Sequence, residues 1–378
     1  MFCPQFRPVV GGSERQAETL AAALAEAGCR VTILTPRIDP DSSDREETNG
    51  VTIERFALTD LSRHCPIRGV AVLNIPYMLL QVVRVVRRRL KGADILHCHI
   101  ASLQTAGAAL AARMAGVPVL LKAAIADHRS DLGEIEKAGA SGWLVAWLVR
   151  TLIQTWVATT AAVEEALIRA GVEPEKIVRI PNGVDLPDDP RMGAVASRVR
   201  RFLYLGRLST NIRRDVPTLV NAFDRLATTC PDLELAVVGG GDLFEDTRRL
   251  AATCAAGARI HLPGFDRPEK WLGWADCFVL PSRREGLSNA LLEAMAVGLP
   301  CIANDIPSNR EVLDDGKAGI LVPVENCDAL ERAMRDMVED EKTARYFALK
   351  AKERAECIYS IKAVADRYVE LYESLRAP

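Results

Sequence analysis

Glu285 and Glu293 stand in the run PSRREGLSNALLEAMAVGLP, Pro281 to Pro300, with Gly286, Leu287, Ser288 and Asn289 between the first glutamate and an apolar stretch. A helix beginning near Ser288 leaves the amides of its first turn unpaired, and those amides, with the helix dipole, attract a phosphate or another oxygen-rich ligand. Glu293 falls about one turn inside that helix. Because helical side chains lean toward the N-terminus, its carboxylate reaches back toward the same ligand, where it could accept hydrogen bonds from the two neighbouring hydroxyls of a ribose. Glu285, in the loop, would face whatever is attached beyond the phosphates. The plainer reading is that Ser288 caps the helix and both carboxylates are solvated.

The flanking elements favour a ligand site. Asp276 to Leu280 (DCFVL) reads as a buried parallel strand ended by Pro281 and Ser282. Asn289 to Val297 carries Leu292, Met295 and Ala296 at helical spacing, with Gly298 and Pro300 as stops. This unit closes a series that starts at Arg201: strand FLYLG, loop RLSTNIRRDVP, helix TLVNAFDRLATT, strand LELAVVGGG, helix DLFEDTRRLAATC, strand RIHLPGF and helix PEKWLGWA. A final strand, Cys301 to Ala303, leads to helices from Asp328 onward. The core strands end in Gly206-Arg207, Gly239-Gly240-Gly241, Gly264 and Glu285-Gly286. One sheet is therefore expected, its carboxyl edge lined for a phosphorylated ligand in the cleft toward the other half. Arg207 with Arg213 and Arg214 could clamp a diphosphate, whose charge suits bidentate donors.

The first half alternates in the same way. Gly11 and Gly12 open a helix from about Ser13 to Ala27, followed by Gly28 and the strand Val31 to Leu34. The two glycines serve either close backbone approach to a ligand or a plain turn. Only Met1 to Cys3 could supply the strand that should precede them, so the first strand is expected to be missing or stunted by a late start or trimming. Asp39 to Thr48 reads as a polar surface loop, and its D-x-D triplet is too common to assign a metal. Val51 to Phe56, Ala93 to Ile100 and Val117 to Ala123 read as strands, with a helix over Gln104 to Ala115 and His128 in the polar loop that follows the last strand. His97 and His99 share one strand face without a third metal ligand, which suits a structural or pocket-lining role.

Pro76 to Lys91 (PYMLLQVVRVVRRRLK) is a nearly continuous apolar helix whose end carries Arg84, Arg87, Arg88, Arg89 and Lys91. These cations either stabilise the helix dipole or rest on anionic lipid head groups. Ser141 to Val157 holds Trp143, Trp147 and Trp156 and reads as a core helix running into a strand, with a lipid-facing acceptor groove as the other reading. The linker DLPDDPRMGA sets the domain boundary: 1–185 as the first parallel-sheet domain, 186–198 as linker, 199–355 as the second, whose sheet edge is lined for a phosphorylated ligand, and 356–378 as a C-terminal helix packing back toward the first.

The length of 378 residues, 49% of them hydrophobic and 26% charged, fits such a two-domain α/β chain. No apolar run has the length of a membrane span and no signal peptide is visible, so a cytosolic protein is expected, peripheral at most on the inner face of a membrane. Ten cysteines without C-x-x-C pairing suit reduced core positions rather than a zinc site. A net charge of −2 argues against a nucleic-acid binder.

Gly11-Gly12-Ser13-Glu14, IPNGVD, GRLS followed by cations, VVGGG and above all EGLSNALLE resemble glycosyltransferase family 4, from Pro4 to about Met337. The resemblance implies the GT-B fold, two Rossmann-like domains facing across a cleft, and transfer of a sugar from a nucleotide-diphosphate sugar to a glycan or lipid-linked acceptor with the anomeric configuration kept. It also implies that Glu293 binds the donor ribose. Glu285 and the amides of Gly286, Leu287, Ser288 and Asn289 would hold the donor sugar. Arg207 and a following cation would stabilise the leaving diphosphate with Gly12 and Gly240 nearby, and Leu262 to Phe265, with Gly264, would flank the base. No cofactor and no metal is expected. Two departures stand out. The usual lysine after GRLS is replaced by Arg213 or Arg214, in a register that the longer loop leaves open. Ala124 stands where the family often has a histidine, so either His128 replaces it or this subgroup manages without. A GT-B epimerase, a phosphorylase and a non-catalytic nucleotide-sugar binder are the competing readings.

Overall fold

The computed structural model describes residues 1–8, 11–60, 70–123, 131–137, 139–187, 198–210 and 214–376. It divides into two compact units, Met1–Gly183 with Ile361–Pro378, and Val184–Ser360. Most of the expected linker lies outside the described residues.

The first unit contains strands β1 (Thr32–Pro36), β2 (Arg45–Thr48), β3 (Val51–Phe56), β4 (Leu96–His99), β5 (Val119–Ala123), β6 (Thr155–Ala158) and β7 (Ile177–Arg179). β1 pairs with β3 in parallel, and β4 to β7 run parallel in chain order. Met1–Cys3 fills the position between β1 and β4. Phe2 bridges to both Leu34 and Cys98, its amide donating to the His97 carbonyl at 2.7 Å, and the Cys3 amide donates to Leu34 at 3.0 Å. The segment is of bridge length rather than a full strand, yet Phe2 is fully buried at the centre of the sheet.

Three expectations change here. The stretch read as a polar loop ends in β2, antiparallel to β3 across Asn49-Gly50, both at positive φ (51° and 73°). That is the geometry of a two-residue hairpin turn. The cationic helix spans Val70–Arg89, so Pro76 lies inside it and does not start it. Burial of Val82, Val86 and Leu90 offsets the hydrogen bond that proline removes. Trp143 and Trp147, on the helix Ala140–Leu152, are 58% and 46% exposed, and only Trp156 is in the core.

Helices 70–89, 103–115 and 140–152 pack on one core, with Val86, Ala108, Val149 and Trp156. A second core gathers Leu20, Ile33, Leu120 and Val157 with Val364, Ala365 and Tyr368 of the C-terminal helix Ile361–Arg376.

The second unit is a single parallel sheet of β8 (Arg201–Leu205), β9 (Glu234–Val238), β10 (Ile260–Gly264), β11 (Cys277–Leu280), β12 (Cys301–Asn304) and β13 (Ile320–Val322), in the order β10-β9-β8-β11-β12-β13. Cys301–Asn304 is not the last strand, because Ile320–Val322 pairs alongside it; this strand is too short to show a pattern. Asp276 pins the amino ends of β8 and β11 together by accepting from the Arg200 and Arg201 amides (3.0 and 2.9 Å) and from the Arg201 guanidinium (2.8 Å). Among the described residues no helix is long and apolar enough to cross a membrane.

Candidate active site

β8 and β11 are neighbours, Cys277 opposite Phe202, but the chain runs outward from β8 to β10 and then from β11 to β13 in the opposite direction. The crevice beyond the carboxyl ends of these two strands is the reversal point where open parallel sheets hold ligands. Gly206-Arg207 leaves β8 there, and the segment from Pro281 to Asn289 leaves β11.

Arg214 and Glu285 meet in this crevice as an ion pair, each side chain only 11% exposed. Backbone pairing sets their register: Arg214 bridges antiparallel to Ser282, and the Asp215 amide donates to the Pro281 carbonyl at 2.6 Å. Ser282, fully buried, lies between the two charges. Its hydroxyl accepts from the Arg214 guanidinium at 2.6 Å and donates to Glu285 Oε1 at 2.9 Å. The Arg214 Nε donor is buried without a partner among the described residues. Such a pair, largely out of water, is held by its geometry and hydrogen bonds as much as by charge. Tyr204 closes the floor, its phenol donating to the Arg207 carbonyl at 3.4 Å. Burial is the main cause that pushes this phenol up to about 12, with Glu285 raising it and Arg214 opposing.

The glycine run is required by close approach. A Cβ on Gly239 would lie 1.9 Å from the Gly206 carbonyl oxygen, and one on Gly241 would lie 2.1 Å from that of Leu208; both residues have φ near 145°. The two loops are joined at this spacing, the Leu208 amide donating to Gly240 at 2.9 Å and the Leu243 amide to Leu208 at 3.0 Å. Asp242 completes the join by accepting from the Thr210 hydroxyl at 2.7 Å; side-chain hydrogen bonds from Thr210 and Ser209 hold its carboxyl down at about 2. Gly240 has no side chain because the Phe265 ring occupies that space, 2.5 Å from where a Cβ would be. Phe265 itself is 75% exposed and offers its ring to a planar ligand beside the glycine loop.

Ser288 is the N-cap residue of the helix Asn289–Ala296, but its side chain makes no capping hydrogen bond, unlike the plain reading of the sequence. Leu287 and Ser288 are buried, while Gly286, Asn289 and Glu293 are partly exposed and Arg207 is exposed. The reversal point thus brings Arg214, Glu285 and Ser282 into direct contact and sets Gly206-Arg207 against Gly239 to Gly241, with Phe265 on Gly240. Of the two arginines left open by the sequence, Arg214 is the one on Glu285; Arg213 lies outside the described residues. His128 does too.

In the first unit Gly12 is the exposed first residue of the helix Gly12–Glu26, preceded by Gly11 in extended backbone. His97, His99 and Lys122 form a buried cluster. The two imidazoles stack at 4.5 Å, His97 Nδ1 lies 2.7 Å from the Tyr372 hydroxyl, and His99 is opposite Lys122 across β4 and β5. Among the described residues no group of three or more His, Cys, Asp and Glu is arranged to hold a metal. Sequence reasoning missed Ser282 and Tyr204. Only the position of Ser282 directly after a buried strand and three residues before Glu285 hinted at its role.

Comparison with known proteins fits this geometry. Residues 189–354 match the family described as glycosyl transferases group 1, and residues 11–183 match the glycosyl transferase 4-like domain. A phosphatidyl-myo-inositol mannosyltransferase of Mycolicibacterium smegmatis is 33% identical over 204 residues, 52% of each chain. A Campylobacter jejuni N-acetylgalactosaminyltransferase, named for a diphospho-undecaprenol-linked acceptor, is 28% identical over 208 residues, 54% of this chain and 56% of the relative. The chain spans about half the length of the curated relatives it matches. Among solved structures, Anabaena HepE in complex with UDP-glucose superposes with a TM-score of 0.74 at 17% identity, covering 99% of this chain and 98% of the other. Sucrose-phosphate synthase from Thermosynechococcus elongatus gives 0.73 at 22%, covering 97% and 94%. Two adjoining family matches, laid over two Rossmann-like units of the GT-B type, make this chain a member of glycosyltransferase family 4.

Proposed function

We propose that this protein transfers a sugar from a nucleoside-diphosphate donor to a glycan or lipid-linked acceptor, keeping the anomeric configuration and using arginine rather than a metal to take the charge of the leaving diphosphate. The observation that carries this reading is the convergence of Arg214, Glu285 and the glycine loop at the reversal point of one parallel sheet. Phe265 flanks the base, Glu293 takes the ribose, and Glu285 with the Gly286 to Asn289 backbone meets the sugar. Arg207 and Arg214 offset the charge that develops on the diphosphate. Arg214 is paired with Glu285, so a donor diphosphate on Arg214 would exchange one anionic partner for another and leave Glu285 to the sugar. Two relatives, a phosphatidyl-myo-inositol mannosyltransferase and an N-acetylgalactosaminyltransferase named for a diphospho-undecaprenol-linked acceptor, support a lipid-linked acceptor, which would bring the enzyme to a membrane surface as a peripheral protein.

The test is incubation with uridine, guanosine and adenosine diphosphate sugars in the presence of candidate acceptors. Acceptor-dependent release of nucleotide, with an anomerically retained product by NMR, is expected; isomerised donor or binding without turnover would sink the reading. Glu285→Gln is expected to lose at least a hundredfold in kcat with donor affinity within threefold, and Glu293→Ala to weaken donor binding about tenfold or more by calorimetry. Equal donor affinity in Glu293→Ala and the parent would remove the ribose assignment.

A further inference from the structure

The helix Val70–Arg89 carries a second feature, away from the sheet edges that the transfer reading uses. Tyr77, Leu80, Arg84, Arg87 and Lys91 recur at spacings of three and four, which places them along one side, and Tyr77 and Leu80 are exposed. The opposite side, Val82, Val86 and Leu90, is buried. Beside the stripe runs a groove of about 790 Å³ whose walls include Leu80, Val83 and Met114 as well as Arg84, Arg87, Arg88 and Lys91. Leu80 is 66% and Met114 52% exposed. The apolar floor and the cations are therefore side by side.

The cations are unmatched. Arg89, the fifth of the cluster, is paired with Glu54 on β3 and does not line the groove. Arg84, Arg87, Arg88 and Lys91 make no ion pair with any described residue, and the nearest acid in the chain, Asp94, pairs with Arg376. Four exposed cations without a carboxylate among the described residues, on a chain of net charge −2, are a local excess that suits an external anion. The helix Ala140–Leu152, in the same layer, presents Trp143, Leu144 and Trp147 to solvent. An exposed tryptophan suits the boundary between lipid head groups and acyl chains, where an indole has one apolar side and one wet side.

We infer that this face of the first unit docks on an anionic lipid bilayer, with Arg84, Arg87, Arg88 and Lys91 on lipid phosphates and Leu80 and Met114 against the acyl boundary. Charge complementarity selects the occupant: a neutral apolar partner would leave four cations unpaired, and a polyanion such as nucleic acid would leave Leu80 and Met114 in water. The inference does not depend on the transfer reading.

Co-sedimentation of the full chain with phosphatidylglycerol vesicles and with phosphatidylcholine vesicles tests it. Binding to the anionic vesicles is expected, weakened by salt. Arg84→Gln, Arg87→Gln and Arg88→Gln together are expected to lower the partition coefficient on the order of a hundredfold, since each cation near such a surface contributes about fivefold. Leu80→Glu keeps the cations and is also expected to release the protein. Thermal melts matching the parent would confirm that both variants are folded, and binding to soluble donor sugar stays unchanged, so failure here leaves the transfer reading standing. Equal binding to both vesicle types, or duplex DNA bound while vesicles are not, would overturn the inference.

Discussion

Lys122 is 5% exposed, and its amine has no hydrogen-bond partner among the described residues. Burial lowers it from 10.5 to about 7, and burial likewise drives the neighbouring His97 and His99 well below 6.5, with Lys122 itself repelling their charge. The unfolded chain binds more protons than the folded one between pH 7 and 10.5, so this lysine makes stability rise with pH across that window; its full cost is felt at and below about pH 7. Lys122→Met, similar in length and apolar, is expected to stabilise the first unit at neutral pH by on the order of a few kcal/mol, seen as a melting temperature several degrees higher. The gain should shrink as the pH is raised toward 10. A variant that melts lower than the parent at pH 7 would show that the amine is charged and paired in the folded protein. Ser282 and Arg214 teach the opposite lesson: there a buried polar set is nearly complete, and the Arg214 Nε lacks a partner among the described residues, in a crevice where a ligand's anionic oxygens are expected.

At the scale of elements, Gly239 and Gly264 of the second unit make contrasting cases. Gly239 has its virtual Cβ 1.9 Å from a backbone oxygen, and the Gly206 amide donates to Val238 at 3.0 Å, so neither strand end can yield. Gly239→Ala is expected to cost about 3 kcal/mol or more and to weaken donor binding with it. Gly264, at φ 78° but with open space around it, should tolerate alanine for about 1 kcal/mol of backbone strain. Melting curves of the two variants check the contrast, and equal losses would mean that the loops move apart at no cost. The alternation of strand and helix that places these glycines was legible because fully buried parallel strands such as β9 and β11 stand out as apolar runs. β2 was not: its alternating exposed and half-buried residues, REET, look like a loop unless Asn49-Gly50 is recognised as a turn. Trp143 and Trp147 misled because an exposed tryptophan is rare. In the site, Glu285 to Glu293 was legible as a local motif, whereas the partner of Glu285 lies 71 positions earlier (285 − 214), brought in by the β8 loop; no local pattern encodes that.

On the scale of the whole molecule, the chain passes between its units twice, and the two crossings adjoin: the Val184 amide donates to Tyr359 at 2.8 Å, and Gly183 has space for no side chain beside Ile361. The last helix therefore returns to the first unit, where Tyr368 is fully buried, His97 stacks on Tyr368 at 5.1 Å and bonds Tyr372, 275 positions away in sequence. Val364, Ala365 and Tyr368 together contribute roughly 5 kcal/mol of burial at 1.5–3 kcal/mol for each large side chain, which is comparable to the whole net stability of a domain, about 5–15 kcal/mol. Removal of residues 361–378 is accordingly expected to unfold or greatly loosen the first unit while the second keeps its melting transition. Hydrogen exchange read by mass spectrometry should show lost amide protection in peptides covering β1, β4 and β5, with β8, β9 and β11 protected as in the intact chain. Uniform loss across both units would mean that they unfold as one cooperative body, and unchanged protection in β4 and β5 would mean that the first unit is stable without its C-terminal helix.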